Sequence, residues 1–210
     1  MKKFWIWFLL CLFVFIASTF LHECGHGFAS KLNGISVSTG FNRVGNAYKY
    51  PTDVDFRDGY DSTQGSLLDF GVPITLILAI GFTLLLSLRR FKKEYIAMVV
   101  LSIAICNSMI RLIPSALCGI VPIFTGKLHM EDEIDTGKVL AERFGVGWFI
   151  AIPVIVSFLI SIICYLVCMK RSRKVQLVIT KGMIAGLWIA YFCSFIIENY
   201  LDNIIRINWV

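Results

Sequence analysis

The sequence predicts an all-α integral membrane protein with about five transmembrane helices and a short β-hairpin after the first. Three observations predict this class. Of 210 residues, 57% are hydrophobic and only 16% charged, a balance outside that of soluble domains of this size. The apolar residues fall in long blocks rather than at amphipathic spacing, which marks membrane spans and not one water-soluble core. The basic residues gather at Lys2-Lys3, at Arg89-Arg90 with Lys92-Lys93, and at Lys170-Arg171 with Arg173-Lys174. Each cluster abuts an apolar block, as cytoplasmic flanks do under the positive-inside rule.

The first block runs from about residue 4 to 32, the second from about 70 to 88, and the third from about 95 to 124. The fourth covers about 146 to 169 and the fifth about 175 to 197. Each is long enough to cross the hydrocarbon layer, which takes about 18–20 residues. Backbone amides in lipid must be satisfied internally, so each block is expected to be a helix. Pro114 and Pro122 are expected to break the third. With no linker, repeat or low-complexity tract, residues 1–210 read as a single membrane-embedded domain.

The basic clusters precede span one, separate two from three, and separate four from five. All three therefore share one side, with the N-terminus expected in the cytoplasm. Loops 33–69 and 125–145 and the C-terminus are then outward. The first block is not expected to be a cleaved signal peptide, because Phe15 and Ile16 are poor residues three positions before a cut after Ala17 or Ser18. In the first loop, Ile35-Ser36-Val37-Ser38 alternates, Gly40 and Gly45 punctuate, and Ala47-Tyr48-Lys49-Tyr50 alternates again before Pro51. That pattern predicts a β-hairpin on the membrane surface, followed by an acidic, turn-rich loop over 53–69.

A formal charge of +6 does not point to nucleic acid, because the cations sit beside spans; anionic lipid headgroups are the expected counterpart. The seven cysteines are Cys11, Cys24, Cys106, Cys118, Cys164, Cys168 and Cys193. All lie in apolar stretches with no close CxxC pair, so they read as small buried hydrophobes rather than a disulfide framework.

The chemistry lies in His22-Glu23-Cys24-Gly25-His26, an HExxH pattern near the end of the first span. Residues four apart share a helix face, so His22 and His26 can offer two imidazoles to one metal. Glu23 lies beside them, placed to activate a zinc-bound water without being a ligand. Cys24 faces away from that metal. At average residue frequencies such a match arises in under about one in a hundred chains of this length. Ionisable residues inside an apolar span are costly and need a reason. The residues from Phe4 to Leu21 rise about 27 Å at 1.5 Å each, so the motif is expected near the outward interface.

A hydrolytic zinc site needs a third protein ligand and one open position. His129, Glu131, Asp132, Glu133 and Asp135 crowd the second outward loop, and Glu198 and Asp202 follow the fifth span. Composition does not choose among them. Arg111, in the middle of span three, is expected to face a partner or cavity: an acid near the site, a developing oxyanion, or Asp69 or Glu198. Asn107, one turn earlier, is expected to form an interhelical hydrogen bond.

The stretch His22-Glu23-Cys24-Gly25-His26-Gly27-Phe28-Ala29-Ser30-Lys31-Leu32-Asn33-Gly34 resembles the HExGHxxAxxxxG helix of the site-2 protease family of intramembrane zinc metalloproteases. Asp135-Thr136-Gly137-Lys138-Val139-Leu140 is similar to that family's later motif, whose aspartate is the third zinc ligand. Asp69-Phe70-Gly71-Val72-Pro73 is similar to its Gly-Pro helix start. The resemblance implies Asp135 as the third ligand of a Zn2+ held by His22 and His26, with Gly137 allowing close backbone packing. Thr136 stands where the family has a second glycine, and Asn107 precedes Pro114 by more than the family's Asn-x-x-Pro step.

The expected function is an intramembrane zinc metalloendopeptidase that hydrolyses membrane-anchored proteins, with Glu23 as the catalytic residue. Its partners would be a substrate helix and the lipid bilayer, with the predicted hairpin adding a strand to the unwound substrate. Two alternatives stand beside it: a non-catalytic membrane protein keeping a metalloprotease scaffold for binding or sensing, and a zinc hydrolase acting on lipidated peptides. Oligomeric state and accessory partners stay open at this level.

Overall fold

Five helices are long and apolar enough to cross a membrane. The structure is a computed structural model, and it describes residues 2–47, 70–129, 131–172 and 180–210. The helices are α1 (Lys2–Leu32), α2 (Gly71–Leu88), α3 (Glu94–Thr125), α4 (Asp132–Phe144), α5 (Ala151–Ser172) and α6 (Lys181–Leu201). A 3-10 turn, Gly147–Ile150, leads into α5. Strands β1 (Val37–Thr39), β2 (Val44–Asn46) and β3 (Ile207–Trp209) complete the described elements. The α1, α2, α3, α5 and α6 segments correspond to the five apolar blocks. Tyr48–Tyr50 of the expected hairpin, the loop 53–69, Asp69 and the Arg173-Lys174 pair lie outside the described residues.

Three expectations need correction. Helix α3 is continuous through Pro114 and Pro122. Each proline removes only one amide donor, and in an apolar setting the remaining helical bonds have no competing water. The stretch expected as a loop over 125–145 contains α4. Three acids in its first turn suit the positive end of the helix dipole. Gly145, at φ 66°, supplies the left-handed residue that ends it. The hairpin, finally, is part of a three-stranded sheet ordered β2-β1-β3. Val37 pairs with Asn46 on one side and with Trp209 on the other, both ladders antiparallel.

Helix α3 is the central post. Its buried residues run from Ala97 to Cys118 and include Leu101, Ile105, Met109 and Arg111. Around it, large apolar side chains of the other helices point outward, among them Phe13, Ile77, Ile163 and Ile196. A core of Trp7, Phe15, Leu86, Leu101, Ile105 and Leu187 lies inside. Large apolar side chains thus lie outside the bundle as well as within it, as expected of helices apolar enough to cross a membrane.

Contacts along the bundle fix its polarity. Lys3 meets Glu94, Trp7 Nε1 donates to the Met183 carbonyl, and Phe15 packs on Tyr191. Helices α1, α3 and α6 therefore run the same way, and α2 and α5 run back, as Thr83 beside Cys168 indicates. The start of α1, the end of α2, the start of α3 and the end of α5, each flanked by basic residues, share one end. The HExxH motif, the start of α2, α4 and the sheet share the other.

Candidate metal centre

On α1, His22 and His26 are one turn apart and both buried, with rings 4.5 Å between centroids. Their Nε2 atoms are 3.0 Å apart. Asp132, the first residue of α4, brings Oδ2 to 2.9 Å from His22 Nε2 and 3.5 Å from His26 Nε2. Protons alone do not explain this triangle, since two imidazole nitrogens and a carboxylate oxygen cannot all donate to one another. A cation does. Tetrahedral zinc with ligand bonds of about 2.0–2.2 Å sets its ligand atoms about 3.3 Å apart, close to all three distances. His22, His26 and Asp132 form a group that could hold a metal ion.

Glycines let the backbone close in on this group. Phe70 and Gly71, opening α2, lie so near α1 that a β-carbon on Gly25 would sit 2.8 Å from the Gly71 nitrogen. A β-carbon on Gly71 would sit 2.5 Å from His26 Nε2 and 2.9 Å from His22 Cε1. The start of α2 thus roofs the imidazoles, and no larger residue fits there. On α4, Gly137 meets the 3-10 turn, where an added β-carbon would fall 2.3 Å from the Ile150 carbonyl oxygen. That contact seats α4 on the start of α5. Glu23, buried beside the histidines, feels the charges of His22, His26, Asp132 and Arg111. The group is open on the Asp132 side, where that side chain is 32% exposed.

Burial alone would raise the Asp132 carboxyl, but the charges and hydrogen bonds of His26 and His22 outweigh it. They hold Asp132 well below the usual carboxylate range. Burial pushes Glu131 up, and neighbouring Asp132 adds to the rise. His22 Nδ1 is buried without a hydrogen-bond partner among the described residues, so the orientation of that ring is set from its Nε2 side.

The acid that lies beside the two imidazoles is Asp132, whereas the family resemblance implies Asp135 as the third ligand. Asp135 lies one helical turn beyond Asp132 and pairs at 2.9 Å with Lys138. The other candidates are also engaged elsewhere. His129 Nε2 meets Glu131 at 3.1 Å. Glu133 receives the hydroxyls of Ser115 and Ser157 at 3.3 and 2.8 Å. Asp202 accepts the backbone amides of Phe41 and Asn42 and anchors the sheet. Glu198 is buried on α6, outside the metal group. Arg111 donates to Asp132 Oδ2 at 3.2 Å, and Asn107 donates to Ser18 on α1 at 3.0 Å.

Sequence reasoning missed two features, the roofing by Gly71 and the approach of Asp132 to the imidazoles. The second had a legible signal. Asp135 and Lys138 stand at i,i+3, the spacing of a same-face ion pair once the stretch is helical, and Lys138 engages Asp135 within α4. The chain matches no protein family model, no curated protein and no solved structure.

Proposed function

We propose that this chain is a membrane-embedded zinc peptidase with His22, His26 and Asp132 as metal ligands and Glu23 as general base. One observation carries the reading: three ligand atoms from two separate helices converge at zinc-like spacing with a glutamate beside them. A bound zinc ion would polarise the scissile carbonyl and acidify water. Glu23 takes the proton of the attacking water and returns it to the leaving amine nitrogen. Asp132 and the two imidazoles fix the reacting centre, and the start of α2 closes one side of it. The apolar exterior and the basic clusters support a multi-pass topology with the basic end in the cytoplasm and the metal group at the outward end. A segment cut there must be extended, because a helix shields its own peptide bonds.

The test uses the full chain in lipid vesicles with a panel of co-reconstituted single-span proteins. Wild type is expected to hold about one zinc per chain and to cleave at least one of them. Glu23→Gln should keep the zinc and lose cleavage by about 100-fold or more. Undiminished cleavage by Glu23→Gln would rule out the general base. Zinc without cleavage in wild type would favour a binding or sensing scaffold.

A further inference from the structure

Arg111 is the most deeply buried cation among the described residues, with 6% of its side chain exposed in the middle of α3. An arginine there must be compensated. Its Nη1 lies 3.2 Å from Asp132 Oδ2 and 3.6 Å from Glu133 Oε1. That same Glu133 oxygen receives Ser115 from α3 and Ser157 from α5. Asp132 and Glu133 are adjacent at the start of α4, so one guanidinium and two hydroxyls pin the first turn of that helix to two spans. The same Asp132 oxygen faces both imidazoles.

We propose that Arg111 is a positioning residue: its guanidinium, neutralised by Glu133, holds Asp132 Oδ2 at the point where the histidine nitrogens meet. The geometry supports this division of labour: the guanidinium lies against both carboxylates, and Glu133 is itself held by Ser115 and Ser157. Without Glu133, the Arg111 charge would fall on Asp132 alone. Without Arg111, Asp132 loses the donor that aims its Oδ2. The inference rests on the metal-site reading above.

Zinc affinity of the full chain in detergent, measured by competition with a fluorescent chelator, distinguishes the two roles. Arg111→Met is expected to weaken zinc binding about 10–100-fold, the usual effect of removing a ligand's outer support. Arg111→Lys, which keeps the charge but not the planar fork, should recover part of that loss. Glu133→Gln should also weaken binding, and the double variant should lose less than the sum of the two single losses, because both act through the aim of Asp132. An Arg111 that serves stability alone would not give that coupling in zinc affinity. Zinc affinity of Arg111→Met within twofold of wild type, or single losses that add fully in the double variant, overturns the proposal and leaves the metal site standing. If Arg111→Met does not fold, an unchanged affinity in Glu133→Gln overturns it equally. A wild-type chain that binds no zinc overturns both readings.

Discussion

The two ends of the helix bundle handle charge in opposite ways. At the basic end, Lys3 and Glu94 pair at 2.7 Å while 75% and 46% of their side chains stay exposed. At the other end, Arg111 and Glu133 are 6% and 1% exposed and sit among His22, Glu23, His26 and Asp132. The first set is exposed, so its members need no particular partner. The second set has given up its hydration and must be neutralised by neighbours held in place. Charge at the basic end suits orientation in a membrane, and charge at the far end suits chemistry.

That contrast breaks most sharply at Gly71. Gly71→Val would push a branched side chain into the space of both imidazoles, and zinc affinity is expected to fall by about 100-fold or more. Chelator competition giving a value within tenfold of wild type would show that the roof is looser than described. A smaller effect is expected at Ser18, whose hydroxyl receives Asn107. Hydrogen bonds between membrane helices average about 0.6 kcal/mol, so Ser18→Ala should lower stability to detergent unfolding by that order. A loss beyond about 2 kcal/mol would make this bond a second anchor of the site. The smallest effect belongs to the basic end. Lys3→Ala should cost no more than about 0.5 kcal/mol, with zinc affinity unchanged. A larger cost in the same unfolding assay would erase the distinction between the ends.

Most of the architecture was legible because long apolar blocks are a local signal. Five apolar blocks and their basic flanks carry the spans without tertiary information. Helix α4 escaped because its pattern is short and polar, and its anchors, Ser115, Ser157 and Ile150, come from distant segments. Strand β3 escaped for a related reason: Ile207–Trp209 is too brief to show alternation, and its partner Val37 is far away in the chain. His22, Glu23 and His26 were readable because helical spacing is a local property. The acid that meets them was not, since bringing Asp132 rather than Asp135 to the imidazoles depends on how α4 turns against α3. That rotation is set by Arg111 and by the close seat of Gly137 on the 3-10 turn.

Comparing Asp132→Asn with Asp135→Asn for zinc content is the most direct measurement. Both variants would be purified as the full chain and scored against the about one zinc per chain expected of a three-ligand site. Asp132→Asn should arrive empty, and Asp135→Asn should stay loaded. A loaded Asp132→Asn beside an empty Asp135→Asn would place the third ligand one turn further along α4 and contradict the centre described above.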